Sequence, residues 1–282
     1  MSINNLVSKS ESTYEHILTS VNYEKKASVG DASYSYHRHD ACEIFLFLSG
    51  NIRFYIEQAC FEPTPGSLVI LNPAEMHRVQ SIDNSPYERI IINIKKDYMD
   101  YLSTDDLALS DCFYSRALGK DNLRILSDET LREFLDLYAR LEASRPEKIG
   151  NTIGQNAYIS LLLLLINTQF MSEKSKITNT MPNYITGTMQ YLASHLEDPL
   201  DLKMLSDRYH ISAGYLSSQF KAHTGLTLRS YLLDCKITHA KTLLQQGASV
   251  TEACFHSGFN DYANFIRSFK KITGKTPGKY KM

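Results

Sequence analysis

The sequence predicts an α+β protein, with an antiparallel β-sandwich or β-barrel and flanking helices first and an all-α domain last. Three observations predict it. Residues 33–95 hold short apolar, β-branched runs with turn signals about every 8–12 residues. A polar stretch, Ser172 to Pro182, interrupts the chain after two helical patterns. Beyond it the chain reads as short helices punctuated by Asp198-Pro199, Gly225, Gly247, Gly258 and Gly274. The boundaries implied are a strand-rich first domain over 1–118, a helical region over 119–172, a linker over 173–183 and a C-terminal domain over 184–282.

The elements follow in order. Ile44 to Leu48 is an apolar run, and Ser49-Gly50-Asn51 is a turn before a second strand, Ile52 to Ile56. Pro63-Thr64-Pro65-Gly66 is a turn ahead of Leu68 to Leu71, and Asn72-Pro73 is another. Tyr87 to Ile94 is a long β-branched strand. Residues 97–175 read as helical. Leu131, Phe134, Leu135, Tyr138 and Leu141 repeat at helical spacing, and Pro146 and Gly150 break the pattern. Tyr158 to Phe170 is apolar nearly all round, so something buries it: the strands or the same region of a second subunit. Its greasiest run, Ile159 to Ile166, is far short of the roughly 20 residues that span a bilayer.

Charge divides the chain in the same place. Lys+Arg total 30 and Asp+Glu 31, so the whole is near neutral, which excludes a uniformly basic coat protein and an acidic disordered tail. Residues 181–282 nevertheless hold 12 basic and 7 acidic residues, and residues 221–282 hold 10 and 3. A basic module on an acidic body points to a polyanion at one end. The 5 cysteines are scattered, with no Cys-x-x-Cys pair, which fits a reducing compartment rather than a disulfide scaffold. Met1 to Ser10 has no apolar core, so no signal peptide is expected and the protein reads as cytoplasmic. No Walker loop, dinucleotide fingerprint, nucleophilic triad or paired-carboxylate motif stands out, so no enzymatic role is expected.

The last hundred residues repeat themselves. Leu216-x3-Phe220-Lys221-x3-Gly225 recurs 49 residues later as Phe265-x3-Phe269-Lys270-x3-Gly274. Ser212 and Asp261 stand where each helix begins and are N-cap candidates. A shorter helix precedes each, Leu202 to Tyr209 and Thr251 to His256. With Leu216/Phe220 and Phe265/Phe269 buried, Gly214, Ser217 and Ser218 are left outward in the first copy. Tyr262, Ala263, Ile266 and Arg267 are left outward in the second. A short helix, a tight turn and a capped helix with a one-sided seam outline a helix-turn-helix, present twice.

The stretch from Ser257-Gly258-Phe259 through Asp261, Phe265-Ile266-Arg267-Ser268-Phe269-Lys270 to Gly274-Lys275-Thr276-Pro277 resembles the signature of the AraC/XylS-type transcriptional regulators. Ile211 to Lys221 is similar to that family's first recognition helix. Tyr231-Leu232 and Ala240-Lys241-x-Leu243-Leu244 are similar to the long helix joining the motifs. The resemblance spans about Tyr184 to Lys281. It implies two recognition helices per subunit in successive major-groove segments. Base contacts fall on Ser217 and Ser218 from the first helix and on Tyr262, Ala263 and Arg267 from the second. Phosphate contacts fall on Ser212, Lys221, Lys270 and Lys271. Ser217-Ser218 replaces the long polar side chains usual there, which predicts weaker base reading by the first helix. Lys236 stands where Arg is usual, and Cys254 where Ala is common; both read as packing or surface changes.

His37-Arg38-His39-Asp40-Ala41-Cys42-Glu43, then Gly50 after six residues, with the later His77, resembles the metal motif of the cupin barrel. On a continuous strand 37, 39 and 43 would point to one face. The resemblance implies a cupin-like effector-binding barrel whose pocket is lined by His37, His39, Glu43 and His77. Those residues suit a divalent metal, and a polar pocket without metal is the other reading. The second motif departs from the enzyme form, with Pro73-x3-His77 and with Ser81 in place of a later Asn. The expectation is therefore a DNA-binding regulator of the activator type. Its expected partners are promoter DNA, a small-molecule effector such as a sugar, a second copy in a homodimer through residues 120–172, and RNA polymerase. The alternative is a metal-dependent cupin enzyme, an isomerase or dioxygenase, with an accessory DNA module.

Overall fold

The computed structural model describes residues 20–28, 36–83, 85–144, 151–171 and 181–280. The expected linker therefore lies almost wholly outside the described residues, as do Pro146 and Gly150. The described residues divide into two compact units, one drawn from residues 20–28 and 37–171, the other from Tyr36 and residues 181–280.

The first unit holds strands β1 (Val21–Ser28), β2 (Cys42–Ser49), β3 (Ile52–Ile56), β4 (Ala59–Phe61), β5 (Ser67–Leu71), β6 (His77–Ser81), β7 (Tyr87–Ile94) and β8 (Leu123–Ile125). Its helices are α1 (Lys96–Leu102), α2 (Asp111–Tyr114), α3 (Asp128–Ala143) and α4 (Asn151–Met171). Five strands make one antiparallel sheet in the order β1-β7-β2-β5-β8, and three make a second, β4-β3-β6. The expected strands are present with four additions. β1 and β8 are the edges of the larger sheet, β4 pairs β3, and β6 begins at His77. The uniformly helical reading of residues 97–175 is corrected by β8, which pairs Ser67 to Val69.

Strand β2 explains the layering. Its even residues Cys42, Ile44 and Leu46 join a core with Ile90, Ile92 and Ile94 of β7, Phe134 and Tyr138 of α3, and Ile159, Leu162, Leu163 and Ile166 of α4. Its odd residues Phe45 and Phe47 join a second core with Phe54, Phe61, Val69 and Tyr87, drawn from both sheets. A strand covered on both faces needs a continuous apolar run rather than an alternating one, which is what β2 has. The nearly all-apolar helix α4 is buried along one face by the sheet and α3, while Ile153, Leu161, Leu164 and Met171 remain exposed. Within the described residues no helix is long and apolar enough to cross a membrane.

The second unit is all helical: α5 (Asn183–Ser194), α6 (Leu202–Arg208), α7 (Ala213–Thr224), α8 (Leu228–Gln245), α9 (Val250–His256), α10 (Tyr262–Thr273) and α11 (Pro277–Tyr280). Helix α8 serves both motifs. Tyr231 near its start packs edge-on against Phe220 of α7. Ile237, Ala240 and Leu244 farther along join Ala253, Cys254, Phe259, Phe265 and Phe269 in one cluster.

Candidate nucleic-acid interface and histidine cluster

The two recognition-type helices are capped alike. Ser212 Oγ accepts from the Tyr215 amide at 3.2 Å, and Asp261 Oδ1 accepts from the Asn264 amide at 2.5 Å. Each satisfies a donor that the first turn leaves without an intrahelical partner. Gly225 and Gly274 end the helices in the left-handed conformation, with φ 72° and 75°. In each last turn a threonine bridges the exit. Thr224 Oγ1 donates to Phe220 O at 2.7 Å and accepts from the Leu226 amide at 3.1 Å. Thr273 Oγ1 donates to Phe269 O at 2.8 Å and accepts from the Lys275 amide at 3.3 Å.

With Leu216 and Phe220 buried, α7 turns Gly214, Tyr215, Ser218 and Lys221 to solvent, and Ser217 is half-buried at the margin. A Cβ added at Gly214 would meet nothing within 4 Å, so among the described residues nothing covers this part of the helix. With Phe265 and Phe269 buried, α10 turns Tyr262, Ala263, Arg267, Lys270 and Lys271 outward. Ile266 is corrected: it is half-buried and packs on the core of the second motif. Lys270 and Lys271 sit in the last turn, where a cation also complements the helix dipole.

The histidines of the first unit converge without a continuous strand. His37 and His77 form an isolated bridge, each amide donating to the other's carbonyl at 3.0 Å. The chain then bends at Asp40 and Ala41, and β2 starts only at Cys42. That corrects the single-strand expectation; the bend and the bridge to β6 bring the rings together. Ring centroids lie 4.5 Å apart for His37 and His77, 4.9 Å for His37 and His39, and 5.1 Å for His39 and His77. One ligand atom from each ring falls within 4.8 Å of the others.

Glu43 shares the parity of Phe45 and Phe47, so it points between the sheets and is buried. His39 Nε2 donates to Glu43 Oε2 at 3.0 Å, and His77 Nε2 lies 3.6 Å from the same oxygen. Burial works to raise the Glu43 carboxyl, but the imidazoles of His39 and His77 outweigh it and hold its pKa at about 2. The hydrogen bond to Glu43 raises His39 against the lowering effect of its own burial. His77 Nδ1 lies 3.1 Å from Glu75 O. A carbonyl only accepts, so Nδ1 carries a proton there, which leaves Nε2 as the ring atom turned toward Glu43. Among the described residues that buried Nε2 has no hydrogen-bond partner, and it faces the Glu43 carboxylate. A cation between that nitrogen and the buried carboxylate, whether a proton on Nε2 or a metal ion, satisfies both groups. The donor set thus fits a divalent ion.

Two family models match the chain: an AraC-like ligand binding domain over residues 27–163 and a helix-turn-helix domain over residues 205–282. The chain belongs to the AraC family of transcriptional regulators. It is an effector-responsive, DNA-binding regulator whose ligand-binding and DNA-binding parts are the two units described above. Among its relatives are the HTH-type transcriptional activators RhaR of Escherichia coli and Shigella flexneri. Each is 22% identical over 253 residues, covering 87% of this chain and 86% of the relative. Among solved structures it is similar to unsaturated fatty acid bound ToxT of Vibrio cholerae, at 14% identity, 93% and 95% coverage and a TM-score of 0.38. The C-terminal domain of the response regulator yesN from Fusobacterium nucleatum is 31% identical over 36% of this chain and 100% of its own, with a TM-score of 0.33.

Two features of this AraC-type regulator escape sequence reasoning. The internal repeat continues past the glycines. Gly225-x-Thr227-x3-Tyr231 and Gly274-x-Thr276-x3-Tyr280 keep the 49-residue spacing, and Tyr280 meets Phe269 edge-on at 5.5 Å as Tyr231 meets Phe220 at 5.4 Å. Extending the alignment of the two copies by six residues would have found this. Lys236, read as a packing or surface change, instead donates from Nζ to Gly258 O at 2.6 Å. No pattern in the sequence foretells that bond.

Proposed function

We propose that this regulator activates transcription by reading a two-part site with α7 and α10, under control of a small effector bound at the histidine cluster. The carrying observation is the duplicated helix-turn-helix, each recognition-type helix capped by a side-chain oxygen, whose outward faces no described residue of the unit covers. Tyr262, Ala263 and Arg267 make the main base contacts, and Ser217 and Ser218 make weaker ones. Lys221, Lys270 and Lys271 contact phosphate, together with the exposed turn at Ser212. Activation rests on similarity to the RhaR activators, and RNA polymerase is then the further partner.

The effector binds at the histidine cluster rather than deeper between the sheets, because that space is filled by Phe45, Phe47, Phe54 and Phe61. His37 and His39 are half-buried there, and Glu43 and His77 are buried beside them. A divalent ion held by the three imidazoles, with Glu43 at its flank, would supply a Lewis-acidic anchor for oxygen groups such as sugar hydroxyls. Two copies associate through α3 and α4, where Leu137, Leu161, Leu164 and Leu165 line an open groove of about 360 Å³. The regulator works in the cytoplasm, where its DNA is, and carries out no reaction of its own. A second reading, a metal-dependent enzyme such as an isomerase or dioxygenase, is favoured only by the intact histidine–carboxylate set.

DNA selection with the purified full chain, at stated salt, tests the main reading. A motif with two submotifs should be enriched, and affinity should fall steeply with salt as counterions leave the DNA. Failure to enrich any motif, with and without candidate sugars, overturns it. Elemental analysis of protein purified without chelator or nickel resin tests the ion. Near-equimolar metal that is lost in Glu43→Gln or His77→Ala supports it, and a metal-free protein removes it.

A further inference from the structure

The turn between α9 and α10 is fixed by more than its glycine. Gly258 has φ +82°, and its amide donates to Phe255 O at 2.9 Å while the Phe259 amide donates to Cys254 O at 3.2 Å. That pair of bonds closes the end of α9 as a Schellman turn. Ser257 Oγ donates to Ala253 O at 2.5 Å. One carbonyl of the turn, that of Gly258, points instead at α8, where it accepts the Lys236 bond. The Lys236 ammonium also lies 5.8 Å from the centre of the Phe259 ring. Phe259 in turn packs edge-on against Phe265 of α10, with centroids 5.1 Å apart. Lys236 is half-buried, and desolvation lowers its pKa. A hydrated surface lysine would keep its ammonium in water; this one gives up part of that hydration for a single carbonyl.

We infer that Lys236 is a positioning residue for DNA recognition: it ties the linking helix α8 to the turn that launches α10, and so sets where Arg267 and its neighbours are presented. It touches neither base nor phosphate. Its place on α8 suits the role, because α8 is the element packed against both motifs. A bond from it to the second turn fixes α10 relative to the frame that also carries α7. A misplacement of about 1 Å is enough to spoil a bidentate contact to a base edge.

The inference rests on the reading that α10 contacts bases, and the experiment separates the two. Full-length wild type, Lys236→Met, Lys236→Arg, Arg267→Ala and the double variant Lys236→Met/Arg267→Ala are compared in thermal unfolding, DNA selection and salt-dependent binding. Lys236→Met should stay folded at the binding temperature and lose about tenfold in affinity, the loss expected for one charged hydrogen bond. Preference should flatten only in the submotif that Arg267→Ala also affects. In the Lys236→Met background, Arg267→Ala should cost several-fold less than in wild type. The slope of log affinity against log salt should not change, and Lys236→Arg, which keeps a donor at that reach, should restore most of the affinity.

If Arg267→Ala leaves the enriched motif intact, the reading of α10 fails. If Arg267→Ala alters the motif but Lys236→Met leaves affinity and motif unchanged, the positioning role fails. A salt slope lowered by about one in Lys236→Met would make Lys236 a phosphate ligand and overturn the inference. Should Lys236→Met unfold, Lys236→Arg decides alone. Its recovery of both submotifs sustains the role, and loss of both submotifs alike in a folded Lys236→Arg overturns it.

Discussion

The two helix-turn-helix motifs share a framework and differ in what they show to solvent. Their caps, threonine bridges, left-handed glycines and Phe–Tyr contacts correspond residue for residue at a spacing of 49. Phe220–Tyr231 and Phe269–Tyr280 even share an interplanar angle, 76° and 77°. The outward faces do not match. Helix α7 offers Gly214, Tyr215, Ser218 and Lys221; α10 offers Tyr262, Ala263, Arg267, Lys270 and Lys271. The entry turns differ too. Gly258 is pressed against the chain, whereas the first turn places His210 in the same left-handed region at φ 54°. Buried positions of a duplicated unit answer to one packing problem and stay alike. Exposed positions answer to the nucleic acid, and each copy is free to read differently.

The sharpest way to break the equivalence is at Gly258. A Cβ there would lie 2.1 Å from Leu196 O and 2.6 Å from Leu196 C, both backbone atoms that cannot step aside alone. Gly258→Ala also forces a side chain into φ +82°. The expected loss is about 2–4 kcal/mol in the stability of the C-terminal unit. Urea unfolding of the full chain followed by a probe in that unit measures it. A loss below about 1 kcal/mol would mean that the turn relaxes and that the second motif is no more constrained than the first.

The readout difference predicts a second, smaller asymmetry. Arg267→Ala should cost about 1–3 kcal/mol and relax preference at one position, as expected for a guanidinium pairing a guanine edge. Ser218→Ala, at the outward face of α7, should cost less than about 1 kcal/mol, since a single neutral hydrogen bond is at stake. Competition binding against the selected site, with each base varied in turn, compares them. Equal losses would show that the first motif reads as strongly as the second. Lys271→Ala should weaken every sequence alike and reduce the salt slope by about 0.9, as expected when one phosphate is no longer neutralised by the protein.

How much of this is legible in the sequence follows the same division. The recognition helices are readable because caps, seams and glycines are local signals repeated twice. The strands with continuous apolar runs, β2, β5 and β7, are readable for the same reason. β1 and β8 are not: they are edge strands, and β8 has only three residues, so long-range pairing defines them and composition does not. His37, His39, Glu43 and His77 stand out through their spacing, yet the spacing misleads about the geometry that joins them. The bend at Asp40 and the bridge between His37 and His77 depend on residues 40 positions apart. Lys236 is the same case in the helical unit, a bond across 22 residues that a substitution pattern on one helix does not announce.

The smallest predicted effect tests whether the first turn stores strain. A side chain at φ 54° costs about 1 kcal/mol, and histidine is among the residues that tolerate it best. His210→Gly removes that cost but gives the unfolded chain more freedom, worth about 0.5–1 kcal/mol in the opposite direction. The two nearly cancel, so the stability of the C-terminal unit should change by less than about 0.5 kcal/mol. Paired urea titrations of wild type and His210→Gly resolve this difference. A gain above about 1 kcal/mol would show a first turn strained beyond the ordinary left-handed penalty. A comparable loss would show that the exposed His210 ring holds the turn by contacts of its own, making it the counterpart of the lysine bond in the second motif.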